Sequence, residues 1–238
     1  MRKTWAFIAA SLLLMTHDPR LTTASAAGNA TVSGKATLEG TPPAMEKIKM
    51  AADPVCLQQH AEPVMNEAVI VNNGALQNVF VYVKDGLPQA DYPAPKEPVV
   101  LDQKGCTYHP HLFGIQVGQP LEIRNSDPTL HNINSQPAAN KKFNVAQPIQ
   151  GMKTVKTFDK PEMVPFKCNV HPWMAAYAGV VNHPFFGVTG ADGTFRLSGL
   201  PAGTYTVEAW HEKYGTQTQS VTLADGETRQ LTFTFKAK

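Results

Sequence analysis

The residue types best suited to chemistry fall in Cys168-Asn169-Val170-His171-Pro172-Trp173-Met174 and in Leu130-His131-Asn132, which places His131 37 residues before Cys168. Together they offer one thiolate, two imidazoles and one thioether. A thiolate and two imidazoles in a plane, with a weak axial thioether, suit a single copper ion cycling between Cu(I) and Cu(II). Zinc favours a harder ligand or a second thiolate over methionine. The spacing has a physical reason. Cys168 ends the strand-like stretch 163–167, and two intervening residues let a tight loop swing His171 back to the same ion while Met174 approaches along the axis. His131 has to come from elsewhere, on a loop after the strand at 121–124. The site therefore joins two sequence-distant loops at one pole of a β-sandwich. An isolated Cys-x2-His arises by chance and an isolated Met is ordinarily core; the conjunction carries the assignment.

The other candidates read more plainly. His109 and His111 flank Pro110 at the start of a strand and read as surface or structural residues, with a second metal as the alternative. His60, His183 and His211 are isolated and read as structural, and Met163 as packing. Pro172, Trp173 and Tyr177 either pack the core or form an apolar collar around an exposed imidazole edge through which electrons pass. All four ligand positions are filled by protein, and no unassigned carboxylate and His pair stands at nucleophile spacing, so no enzymatic turnover is expected.

Cys56 and Cys106 sit in turn-rich surroundings, Asp53-Pro54-Val55-Cys56 and Lys104-Gly105-Cys106-Thr107, unlike Cys168. An exported chain with three cysteines pairs two and leaves one for other duty. The expected pair is Cys56–Cys106; the alternative makes one of them a metal thiolate alongside His60, His109 or His111.

The elements that must hold these residues are strands. Nineteen Pro and 17 Gly, scattered through the chain, interrupt every stretch long enough for a helical bundle. Residues 30–40 alternate apolar and polar before a Gly-Thr-Pro-Pro turn, and 69–71 and 79–83 return to strand character. A short helix is expected near Cys56 and a Pro-rich loop over 90–98. From Val99 short strands recur at 99–101, 113–117, 121–123, 155–158 and 164–168, the spacing of a β-sandwich. Residues 191–210 form a hairpin-rich meander with Phe195, Leu197, Tyr205, Val207 and Ala209 alternating.

Residues 107–181, through His131-Asn132 and the Cys-x2-His-x2-Met loop, closely resemble the cupredoxins, the small blue copper proteins, and the short ligand loop is most similar to that of amicyanin. The resemblance implies a Greek-key β-sandwich, copper ligation by His131, Cys168, His171 and Met174, and Asn132 hydrogen-bonded to the ligand loop. Asp192-Gly193-Thr194-Phe195 and Leu200-Pro201-Ala202-Gly203-Thr204-Tyr205 resemble the carboxypeptidase regulatory-like, prealbumin-like sandwich. The opening strand of such a module matches residues 32–40, far upstream, and fewer than 60 residues follow His183. The expected fold is thus all-β: a cupredoxin-like sandwich over 99–182 and a prealbumin-like segment over 183–238, with 27–98 an N-terminal β region that contributes strands to the latter if the copper domain is an insertion.

The 238 residues are 42% hydrophobic and 17% charged, enough to pack one or two domains. Arg2 and Lys3, the apolar run 5–15 and the small residues Ala24-Ser25-Ala26-Ala27 have the order of an export signal cut near Ala26 or Ala27, which in a bacterium means the periplasm. That run is 11 residues long, against about 20 for a membrane span. Without residues 1–26, Arg2, Lys3, Arg20 and Asp18 are lost, so 18 basic and 18 acidic residues remain. A net charge near zero argues against nucleic acid or an anionic membrane as partner. The expected activity is one-electron transfer with a protein redox partner. The alternatives are a copper carrier or storage protein, and a binding or structural module stabilised by its metal; a catalytic copper with an open position is disfavoured because Met174 fills the axis.

Overall fold

The computed structural model describes residues 28–237, together with Met1. The expected export signal and its cleavage site fall outside this range. Among the described residues no helix is long and apolar enough to cross a membrane. With 2% helix and 49% strand the protein is all-β.

Its strands follow one another as β1 (Ala30–Glu39), β2 (Val71–Asn72), β3 (Ala75–Leu76), β4 (Phe80–Asp85), β5 (Val99–Lys104), β6 (Thr107–His109), β7 (Leu112–Gln116), β8 (Leu121–Asn125) and β9 (His131–Ser135). The chain continues through β10 (Asn144–Gln147), β11 (Lys153–Lys156), β12 (Glu162–Lys167), β13 (Ala175–Val181), β14 (Phe186–Val188), β15 (Thr194–Leu200), β16 (Gly203–His211), β17 (Gly215–Leu223) and β18 (Thr228–Lys236). One short helix, α1 (Pro54–Gln58), precedes β2.

These form two sandwiches. In the outer one, β1 runs between β18, parallel over Thr31–Glu39, and β15, antiparallel, with β3 and β2 beyond. The facing sheet has the order β14-β4-β16-β17. Period-two burial drives the pairing: Tyr205, Val207, Ala209 and His211 of β16 point inward, as do Phe195 and Leu197 of β15. Phe195, Leu197, Tyr205, Val207 and Ala209 make one continuous apolar core with Val32, Leu76, Val81, Phe233 and Phe235. This sandwich is therefore built from both ends of the described chain.

The inner sandwich comes from the middle, with sheets β10-β9-β12-β13-β7 and β11-β8-β5-β6. Leu101, Ile115, Leu121, Ile123, Ile133, Phe158, Val164 and Phe166 fill it. The two sandwiches meet at paired glycines. Gly114 of β7 and Gly179 of β13 are partners in a parallel ladder, and a Cβ on Gly179 would lie 2.4 Å from Phe80, one on Gly114 2.2 Å from Phe186. Two outer-sandwich rings thus rest directly on inner-sandwich backbone, where any side chain would push them off.

Residues 46–66 leave the outer sandwich to cover the inner one. A bridge between Lys47 and Met65 closes this excursion, and within it α1 carries Cys56 onto Cys106, joined in a disulfide. Met50, Cys56 and Cys106 form a small buried cluster, with Trp173 packed against it.

Candidate metal centre

Antiparallel pairing of β12 with β9 matches Lys167 with Asn134, so the residues just beyond, Cys168 on one strand and His131 on the other, share one end of the sheet. His131 is the first residue of β9, whereas a loop position was expected. Strand backbone fixes it more tightly than a loop would, because its carbonyl and amide neighbours belong to the ladder with β10.

The loop 168–174 folds back on itself. The His171 amide donates to Cys168 Sγ at 3.3 Å, the Met174 amide to the His171 carbonyl at 3.0 Å and the Cys168 amide to the Met174 carbonyl at 3.3 Å. His131 Nδ1 and His171 Nδ1 lie 2.9 Å apart, one donating to the other, and Cys168 Sγ is 3.9 Å from His171 Nδ1. The donor atoms of His131, Cys168 and His171 all fall within 4.8 Å of one another. All three residues are buried, as is Met174, which packs in the same cluster as Cys168. Asn132 Oδ1 accepts the Asn169 amide at 2.5 Å, tying β9 to the loop, while its amide donates to Asn144.

Two carboxylates that sequence reasoning missed hold the rings. Asp127 Oδ2 lies 2.8 Å from His131 Nε2 and also accepts the Cys106 amide at 2.7 Å, while Oδ1 accepts the Gly105 amide at 2.8 Å. Those two amides belong to the β5–β6 hairpin turn, where Gly105 and Cys106 both have positive φ, 61° and 55°. A two-residue hairpin turn asks for this geometry, and at the non-glycine Cys106 it is strained. Asp53 divides its oxygens: Oδ1 caps α1 by accepting the Val55 amide at 2.9 Å, and Oδ2 lies 2.9 Å from His171 Nε2. The four-residue spacing of Asp127 to His131 was a readable signal. Asp53, 118 residues from His171, offered none.

The electrostatics follow from these contacts. Burial alone would raise the Asp127 carboxyl, but His131 and the amides of Cys106 and Gly105 hold it below its usual range. His171 and the capped helix do the same for Asp53. Burial opposes charge on His131, yet Asp127 and Cys168 outweigh it and raise its affinity for a proton. Burial likewise disfavours the Cys168 thiolate, and His131 with the amides of Asn132, His171 and Val170 overcomes that.

The exposed imidazole edge is a correction. His171 is 2% exposed, because Asp53 and the disulfide cover it, with Cys56 Sγ 3.5 Å from His171 Nε2. Of the expected collar, Pro172 is exposed while Trp173 and Tyr177 are half-buried, and all three line a cavity of about 460 Å3. The Trp173 ring lies 5.1 Å from the His171 ring, and its indole N–H donates to the Cys106 carbonyl at 2.9 Å. Among the described residues, His60 is tied to the Gly105 carbonyl, His109 to Thr107 and His183 to the Val83 carbonyl. His111 bridges the sandwiches, its Nε2 2.5 Å from Glu212. Met163 packs beside Phe80 where the sandwiches meet.

By fold and site, the chain is an all-β protein of two sandwiches with a buried cysteine–histidine cluster at one end of the inner one. Residues 180–236 match the carboxypeptidase regulatory-like domain. Among solved structures, the chain is similar to a purple cupredoxin from Nitrosopumilus maritimus, at 23% identity over 35% of this chain and 97% of that one, with a TM-score of 0.30. A Cu(I) form of an amicyanin variant matches at 16% identity over 40% of this chain and 97% of that one, TM-score 0.32. A copper-containing nitrite reductase from Thermus scotoductus matches at 16% identity over 61% of this chain and 28% of that one, TM-score 0.34. No curated protein sequence matches the chain.

Proposed function

We propose that this is an exported, periplasmic protein that holds one copper ion through His131, Cys168, His171 and Met174 and exchanges single electrons with a protein partner, with no substrate of its own to turn over. The observation that carries the reading is the approach of His171 Nδ1 to His131 Nδ1 at 2.9 Å and to Cys168 Sγ at 3.9 Å in a space shut off from water. A soft thiolate and thioether with two borderline imidazoles is a donor set that both valences of copper accept. Copper held there would supply the one-electron change.

The chain's own residues do the rest. Asp127 and Asp53 engage both Nε2 atoms and so leave both Nδ1 atoms facing inward, and each carboxylate makes its imidazole a stronger donor. The His171 amide partly neutralises the Cys168 sulfur. Asn132 clamps the loop to β9, so the cage holds its shape when charge changes. With the outer edge of His171 covered, electrons leave through Trp173, and the surface around Pro172, Trp173 and Tyr177 receives the partner. The Cys56–Cys106 disulfide and the export signal support an oxidising compartment.

The test is a visible spectrum of the chain after Cu(II) is added. An intense thiolate-to-copper band is expected, lost in Cys168→Ser. No such band in the unaltered chain, or its survival in Cys168→Ser, would overturn the proposal.

A further inference from the structure

The outer side of the His171 ring faces a second set of soft donors. Cys56 Sγ is 3.5 Å from His171 Nε2, and the donor atoms of Cys56, Cys106 and His171 lie within 4.8 Å of one another. The thioether of Met50 is buried in the same cluster as the two cysteines. The Cys56 and Cys106 Cα atoms are 5.5 Å apart, close enough for both sulfurs to reach a common ion without the backbone moving far. As a disulfide the pair is a poor ligand; as two thiols it completes a set of two thiolates, a thioether and an imidazole, which selects Cu(I) over harder ions.

The geometry points to a second metal site: in the dithiol state, once Asp53 gives up its hydrogen bond to His171 Nε2, Cys56 and Cys106, with that Nε2 and Met50, bind Cu(I) on the far side of the His171 ring from Cys168. The reducing step is thiol–disulfide exchange with an external dithiol. Its first thiolate attacks one sulfur, the S–S bond breaks, and its second thiol displaces the mixed disulfide. The dithiol gives up two electrons and two protons and becomes a disulfide, while Cys56 and Cys106 become thiols. Binding Cu(I) then releases the two thiol protons and the His171 Nε2 proton, the last by way of Asp53, to solvent. Both cysteines are buried, and exposed Gln59, which reaches Cys106 Sγ at 3.8 Å and lines a cavity of about 440 Å3 with His60 and Gly105, has to swing aside for the external dithiol to reach the disulfide. His171 turns one nitrogen to each site, so a Cu(I) ion taken up outside is separated from the inner donors by a single ring.

The test isolates the outer site in Cys168→Ser. The full chain carrying this change is prepared as disulfide and, after a phosphine reductant has been used and removed, as dithiol. Both are titrated anaerobically with Cu(I) against a chromophoric chelator. The dithiol form is expected to take up one more equivalent than the disulfide form, with sulfur ligation by X-ray absorption, and the gain is expected to vanish when Cys56→Ser is added. Equal uptake by the two forms would overturn the inference. If reduced Cys168→Ser loses its strand signal in circular dichroism, the unaltered chain decides: one further equivalent on reduction supports the outer site and none rejects it. Failure of the disulfide form of the unaltered chain to bind copper would instead count against the inner site alone.

Discussion

Asp127 precedes His131 by four residues, and the chain turns back between them so that the buried carboxylate lies 2.8 Å from the His131 Nε2. The same carboxylate binds both amides of the Gly105–Cys106 turn. One side chain therefore aims a ligand ring and shapes the hairpin that presents half of the disulfide.

Asp127→Asn keeps the size and removes the charge, and its amide cannot accept all three hydrogens. We expect metal affinity to fall about 10- to 100-fold, read by chelator competition. Unchanged affinity would show that the carboxylate serves the turn alone.

Cys56→Ser opens a cross-link with a sequence separation of 50 residues. On the chain-entropy account that removes about 4 kcal/mol of stability, measurable as a lower denaturant midpoint. The visible copper band is expected to persist, because Cys56 supplies nothing to the inner donors; its loss would mean that the cysteines have been divided wrongly.

Gly179→Ala places a methyl where Phe80 sits 2.4 Å away. We expect a loss of about 1–3 kcal/mol, the usual cost of overpacking, with partial recovery on adding Phe80→Leu. Additive losses in the double variant would argue against this contact.

Burial pushes His211 down to about 4. Its Nδ1 accepts the Lys213 amide at 3.1 Å, and its Nε2 has no partner among the described residues, so the folded chain holds it neutral between Tyr214 and Phe235. The unfolded chain protonates the same ring near pH 6.5. Below that pH the unfolded state binds the extra proton, so this residue's contribution to stability falls as pH drops from about 6.5 to 4, by roughly 3 kcal/mol in all. Urea midpoints across that range should fall less steeply in His211→Phe; parallel curves would refute the assignment.

Local signals made the site half legible. Cys168, His171 and Met174 could be read together because a seven-residue loop must bring them to one place, and the alternation in β15 and β16 exposed their buried faces. The turn around Cys106 was readable from its glycine. Asp53 was not, because only the path of residues 46–66 across the inner sandwich brings it to His171, and nothing in its own neighbourhood encodes that path. The same excursion explains the misjudged exposure of His171: a covering segment from far upstream leaves no trace in the loop it covers. The loop position expected for His131 follows from its place after the strand at 121–124; the connection from β8 is short, so His131 already begins β9.

Parallel pairing of β1 with β18 joins residues 31–39 to 228–236, and this limits when the outer sandwich can be completed. As the chain emerges from its N-terminal end, β5 to β13 can close upon one another while β1 still lacks both of its long neighbours. The elements that carry the copper-ligand candidates are thus all present before the outer sandwich can be completed, and the last strand made completes the first.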